Sequence, residues 1–170
     1  MASERIIDQL NVQLNRELYS GYLYLSMCAY FNEKGLPGFA HWMRVQAQEE
    51  LTHAMKFFDY ITKSGGRVKL ATIQVPPLEW QSVEEVFRET LAHEQKVTSY
   101  INQLVDLAIQ EKDHATNNFL QWFVSEQVEE EENGRNILDR LRLVGEDKGS
   151  LFMLDRELAQ RVFVPPAQER

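Results

Sequence analysis

RVKLATIQVPPLEWQ, residues 67–81, is the stretch on which the fold turns. It holds Pro76, Pro77 and the β-branched Val68, Ile73 and Val75, in a chain otherwise patterned at helical spacing. Two adjacent prolines remove two backbone donors, so no helix runs through them. If extended at roughly 3.3 Å per residue, about 15 residues reach about 50 Å. A helix of about 27 to 31 residues is roughly 40 Å long. The stretch can therefore traverse a whole helix and let the next one start at the opposite end. Apolar residues recur at helical spacing over 4–33 and 38–64 before it, and over 82–112 and 115–144 after it. Short turns inside each pair make its two helices antiparallel. The spacing predicts an all-α four-helix bundle, about 4–144, with one long crossover between helices two and three. A short fifth helix follows near 148–160, then a loose tail over 163–170, all in one domain spanning 1–170.

The boundaries carry their own punctuation. Gly35, Pro37 and Gly38 mark the first turn, and Gly65 and Gly66 stop the second helix. Ser82 with Glu85 opens the third as a capping box, Asp113 caps the fourth and Gly145 ends it. Ser3, followed three residues later by Ile6, reads as a weaker cap.

Each inward stripe is broken by polar residues. The first runs Ile7, Leu10, Leu14, Glu17, Gly21, Tyr24, Cys28, and the second Phe39, Met43, Gln46, Glu50, His53, Phe57. The third gives Phe87, Leu91, Glu94, Val97, Ile101, Leu104, Ala108, and the fourth Leu120, Phe123, Gln127, Glu130, Gly134, Ile137, Leu141. One buried ionised carboxylate costs several kcal/mol or more, and His53 alone cannot offset several. Converging acids call for a cation, and carboxylates with imidazole suit iron, manganese or zinc. A lone Glu50-x-x-His53 is weak; four stripes broken at one level are not.

A formal net charge of −8 disfavours nucleic acid as a partner, since phosphates need a basic footprint. No apolar run approaches the ~18 to 20 residues that span a bilayer. The N-terminus lacks the layout of a secretory signal, so the expected location is cytoplasmic. The single cysteine, Cys28, leaves no internal disulfide and reads as a small buried hydrophobe.

Residues 4–162 resemble the bacterial-type non-haem ferritins. The resemblance rests on Asn15-Arg16-Glu17-Leu18-Tyr19-Ser20, Glu49-Glu50-Leu51-Thr52-His53-Ala54, Leu91-Ala92-His93-Glu94 and the run from Phe123 to Glu131. It implies a di-iron ferroxidase centre with Glu17, Glu50 and His53 at one iron and Glu50, Glu94 and Glu130 at the second. Gln127 is then an outer or weak ligand. It also implies iron storage and detoxification, with dioxygen or peroxide as oxidant and ferric mineral held in a hollow homo-oligomeric shell of 24 subunits. Tyr24, two turns from Glu17, either serves the centre or is an ordinary core tyrosine. Trp122 reads as packing. Glu49, Glu126 and Glu129 each precede a site residue by one position, a rotation of about 100° in one sense. They are candidates for a third iron position, or else solvated acids of a Glu-rich surface.

Departures narrow the reading. Gln127-x-x-Glu130 replaces a second Glu-x-x-His, so the second iron lacks a strong nitrogen ligand and is expected to be released inward. Leu51 stands where bacterioferritins carry a haem-ligating methionine, so no haem is expected. His41, His93 and His114 fall outside the constellation and read as surface or packing residues. Leu151, Phe152, Leu154, Leu158 and Val162 make the fifth helix apolar. They need a partner surface, a neighbouring subunit in the shell or else the helix's own bundle. The competing readings are a di-iron oxidase without storage and a four-helix interaction protein without metal.

Overall fold

In a computed structural model of the chain, which describes residues 2–165, each stripe is the buried face of a helix. The helices are α1 (Glu4–Glu33), α2 (Pro37–Lys63), α3 (Val83–Gln110), α4 (His114–Val144) and α5 (Lys148–Leu158). Every stripe residue above is buried except Leu91, which is partly so. The predicted ends hold to within two residues. Ser82 accepts the Glu85 N–H at 3.0 Å and Asp113 that of Thr116 at 3.0 Å. Ser3 caps better than its sequence suggested, accepting the Ile6 N–H at 3.2 Å. Its hydroxyl satisfies an orphan donor without the glutamate of a capping box.

α1 packs on α2 and α3 on α4 as antiparallel pairs, with α1 also meeting α3. The crossover climbs α1 from one end to the other. Asn11 donates to the Arg67 carbonyl at 3.0 Å and accepts from the Lys69 N–H at 2.6 Å. One turn on, Asn15 accepts from the Ala71 N–H at 2.8 Å; further up, Ser26 donates to the Pro77 carbonyl at 2.5 Å. Trp80 then packs edge-on to Tyr30, and α3 starts beside the end of α1. These side chains supply the hydrogen bonds that an extended segment cannot make with itself.

The interior is two apolar clusters with a polar layer between them. One gathers Met27, Phe31, Phe39, Met43, Phe87 and Leu141; the other gathers Leu10, Leu14, Phe57, Ile101, Leu120 and Phe123. The polar stripe residues lie where the two meet.

α5 docks on its own bundle, chiefly on α2 and at its edge on α4. Leu154, Asp155 and Leu158 are buried there, while Phe152 and Met153 remain exposed. Gly38 permits this approach: a Cβ at that position would lie 1.6 Å from the Asp155 carbonyl oxygen. Asp155 also accepts the Phe39 N–H at 2.9 Å, capping an α2 that has no side-chain cap of its own. The partner surface expected for the fifth helix is thus supplied in part by its own chain. Among the described residues no helix is long and apolar enough to cross a membrane. Residues 163–165 carry no regular secondary structure, and the expectation of a loose tail over 166–170 lies outside the described residues.

Candidate metal centre

Four helices each deliver acid or amide groups to one level. Glu17 comes from α1, Glu50 and His53 from α2, Glu94 from α3, Gln127 and Glu130 from α4, and none is more than 4% exposed. Spacings of three on α2 and α4 put each pair on one face, one turn apart. No Lys or Arg is buried among the described residues, so no fixed positive charge offsets the acids inside the layer.

Among the described residues, two groupings bring three ligand atoms within 4.8 Å of one another: Glu17, Glu50 and His53, and His53, Glu126 and Glu130. The first is the set predicted for one iron. The second shares only Glu130 with the predicted set of Glu50, Glu94 and Glu130, because His53 and Glu126 take part and Glu50 and Glu94 do not. Glu94 is engaged elsewhere, accepting from the Tyr24 phenol on one oxygen and from Gln127 Nε2 at 3.2 Å on the other. Gln127 Nε2 also faces the Glu94 carbonyl at 3.2 Å. Its amide oxygen is therefore the end available to a cation.

Burial pushes the Glu50 carboxyl well above the usual carboxylate range, and the charges of Glu94 and Glu17 push it further. Burial likewise raises Glu130 well above that range, with Glu94 and Glu50 adding to it. Burial raises Glu17 as well, opposed by His53 and by a hydrogen bond from Gln13. Glu17 and Glu50 bring carboxylate oxygens within 4.8 Å of each other, a repulsion that a proton on one of them relieves. A bound cation can replace that proton. The donor set, oxygen-rich with one imidazole, fits iron in either oxidation state.

Two glutamines emerge as site residues that the sequence reading left unassigned. Gln13 donates to Glu17 at 2.6 Å, and Gln46 donates to Glu130 at 2.6 Å. Both are fully buried. The signal for Gln13 was local: it sits four residues before Glu17 on the same face. Gln46 stood on the α2 stripe, but its partner lies on another helix.

The proposed third set is split. Glu126 points to His53, Oε1 to Nε2 3.9 Å, and Glu49 pairs with Arg161 at 2.5 Å. Glu129 is exposed. Burial raises the carboxyls of Glu49 and Glu126 above their ordinary value.

The aromatic groups frame His53. Trp122 and Phe123 meet its ring edge-on, with centroids 5.3 and 6.0 Å away, and Lys56 sits over Trp122. His93 bonds Ser20 at 2.8 Å and packs against Tyr19 and Tyr24, whereas His41 and His114 are exposed. Cys28 is buried, as expected.

Residues 7–144 match the family model described as a ferritin-like domain. The chain is 44% identical over 161 residues to a bacterial non-heme ferritin of Bacteroides fragilis, covering 95% of this chain and all of the relative. It is 42% identical to the bacterial non-heme ferritin of an Escherichia coli strain, covering 94% of this chain and 96% of that one. Among solved structures, an open pore ferritin from the archaeon Archaeoglobus fulgidus superposes with a TM-score of 0.94 at 54% identity, covering 95% of this chain and 100% of that one.

Proposed function

The chain belongs to the ferritin-like family, and from that premise we propose which of its residues handle iron and how. The protein is an iron-storing ferroxidase: ferrous iron is its substrate and ferric mineral its product. In our reading, Glu17, Glu50 and His53 take one ferrous ion. Glu50, Glu94 and Glu130 take the second, with Glu50 shared and Gln127 at its margin. All of this lies within one domain. The observation that carries the reading is the acidic layer between two apolar clusters, with no buried Lys or Arg among the described residues to neutralise it.

The chemistry follows from charge. Carboxylates attract Fe(III) more strongly than Fe(II), so the layer favours oxidation. Two ferrous ions held against one shared carboxylate need not find each other by diffusion. Together they give up two electrons, the number that converts dioxygen to peroxide or peroxide to water. Tyr24 keeps its proton, because burial and the neighbouring Glu94 raise its pKa well above 10.0. It therefore serves as a hydrogen-bond donor to Glu94. The second ion has no nitrogen ligand of its own, and we propose that this lets oxidised iron leave toward the mineral. Glu49, Glu126 and Glu129 form the proposed third stop.

Containing a mineral requires an enclosed volume. We propose a homo-oligomeric shell, 24 subunits in its full form, with the exposed Phe152 and Met153 of α5 covered by neighbouring copies. The expected setting is the cytoplasm, with no haem, nucleic acid or membrane as partner. The test is to add excess Fe(II) in air and follow iron and protein together by size-exclusion chromatography. Many iron atoms per subunit should co-elute with one large particle, and Glu17→Ala should greatly slow their oxidation. Iron precipitating beside a small protein would overturn the storage reading.

A further inference from the structure

A crevice of about 670 Å³ opens between α1, the crossover and α3, and the mechanism above makes no use of it. Its walls are chiefly apolar and aromatic, with Val12 and Tyr19 from α1, Ile73 from the crossover, and Val97 and Tyr100 from α3. Val12 and Ile73 stay 41% and 38% exposed there, although both are large apolar side chains. Small-molecule sites occupy roughly 300–1,000 Å³ and have walls of this kind. The crossover wall is fixed in place. Asn15 donates to the Lys69 carbonyl at 3.1 Å and accepts from the Ala71 N–H at 2.8 Å, one turn above the paired bonds of Asn11. A wall already ordered costs little to order when a ligand enters.

The charge on these walls runs against that of the chain. The protein carries a formal −8, yet the crevice holds Arg16, Lys69 and Lys96 against a single acid, Asp8. Asp8 is already paired with Lys69 at 2.8 Å. Arg16 and Lys96 are in no ion pair among the described residues. Both stand at Tyr100: the Arg16 guanidinium lies 3.5 Å from its ring centroid and the Lys96 ammonium 5.9 Å. Two uncompensated cations beside apolar and aromatic walls fit a ring system that bears an anionic group. Arg16 reaches the metal layer as well. Its Nη1 donates to Gln13 Oε1 at 3.3 Å, and Gln13 donates to Glu17 at 2.6 Å.

We propose that the crevice binds a small planar aromatic anion, with Arg16 and Lys96 at its carboxylate or phosphate and the ring against Tyr19, Ile73 and Val97. An occupant draws Arg16 off Gln13, because a guanidinium–anion bond is stronger than a 3.3 Å bond to a neutral amide. Gln13 is then held at one end only, and Glu17 is presented less well to a cation. Occupancy of the crevice thus weakens cation uptake at the Glu17 position. That coupling, unlike the binding, rests on the metal-centre reading above.

The assembled full-length protein is titrated with naphthoate and with naphthyl phosphate, followed by their fluorescence, and with the neutral naphthalenemethanol. Each anion should bind once per subunit, and the alcohol about tenfold more weakly or worse. Whichever anion binds tighter identifies the group, carboxylate or phosphate. Lys96→Met, at an exposed position, should weaken both anions about tenfold. Ala71→Trp fills the crevice and leaves both cations in place, so it should abolish binding. Anions that still bind this variant are held by surface charge alone, and the proposal falls. Saturating naphthoate should weaken the Zn(II) affinity of the wild type about fivefold by calorimetry, and Zn(II) should weaken naphthoate equally, since coupling is reciprocal. Gln13→Met should keep the binding and lose the coupling. Thermal melts show that each variant is folded. Equal binding of the alcohol, or naphthoate binding without effect on Zn(II), overturns the proposal. A Zn(II) titration unchanged by Glu17→Ala overturns instead the metal-centre reading and leaves the crevice site standing.

Discussion

Tyr24 on α1 donates its phenolic proton to one oxygen of Glu94 on α3, while Gln127 on α4 holds the other at 3.2 Å. One carboxylate thus ties three helices together at the metal level. Tyr24→Phe removes that donor with little change of volume. The fold should lose about 1 kcal/mol, as for a typical hydrogen bond. Ferrous oxidation should slow about tenfold, because an unheld Glu94 presents its oxygens less well. Stopped-flow absorbance after mixing Fe(II) with oxygenated buffer measures this. An unchanged rate would return Tyr24 to an ordinary core role.

The raised carboxyls predict how the cation-free protein responds to pH. Glu50, Glu130 and Glu17 all titrate above the ordinary glutamate value of 4.5. A folded-state pKa raised in this way stabilises the fold below the unfolded value, and that stability is lost as pH rises through the raised value. With chelator present, the melting temperature should therefore fall as pH climbs above 4.5, and Glu50→Gln should flatten the fall. Asp113, Asp147 and Glu157 are held low by hydrogen bonds, so their contributions are lost only on acidification and do not mask the trend. Zn(II) should restore more stability at pH 8 than at pH 5, because its binding displaces protons. A wild type and Glu50→Gln with parallel pH profiles would defeat this account.

Gly38→Ala tests the seat of α5. The added methyl collides with the Asp155 backbone, which cannot yield without moving the helix. A cost of about 1–3 kcal/mol is expected from overpacking. The Phe39 N–H also loses its acceptor as Asp155 shifts. Melting curves and size-exclusion profiles should show a less stable protein and fewer large particles. Normal assembly at the wild-type melting temperature would mean that α5 is not needed in this seat.

The asymmetry of α4 is testable by removing it. Gln127→Glu combined with Glu130→His gives α4 the same acid-then-imidazole spacing as Glu50 and His53. The second iron should then be retained. Its bound pair should persist through repeated cycles, and the iron stored per particle should fall several-fold. Iron and protein assays after graded Fe(II) additions measure this, and undiminished mineral growth would show that the nitrogen ligand does not govern release.

The helices and the list of core acids were legible because helical periodicity is local. Glu17, Glu50, His53, Glu94, Gln127 and Glu130 fall on apolar stripes, and a polar residue on such a stripe is buried whatever its neighbours turn out to be. The crossover was legible from length and from Pro76-Pro77, which exclude a helix and leave only an extended path. The donor set also lay in the residue types themselves, which suit iron, manganese or zinc alike; the family resemblance narrowed that choice to iron.

What periodicity cannot contain is rotation and axial offset between helices, and these decided the rest. They put Glu126 rather than Glu94 beside His53 and Glu130, and gave Glu94 to Tyr24 and Gln127. They also turned Gln46 across the bundle to Glu130 and seated α5 on Gly38. Arg161 shows the limit most plainly. Nothing near it in the chain marks it, yet it meets Glu49 112 positions away. Such a pairing exists only once the bundle has closed and the chain beyond α5 has folded back over α2.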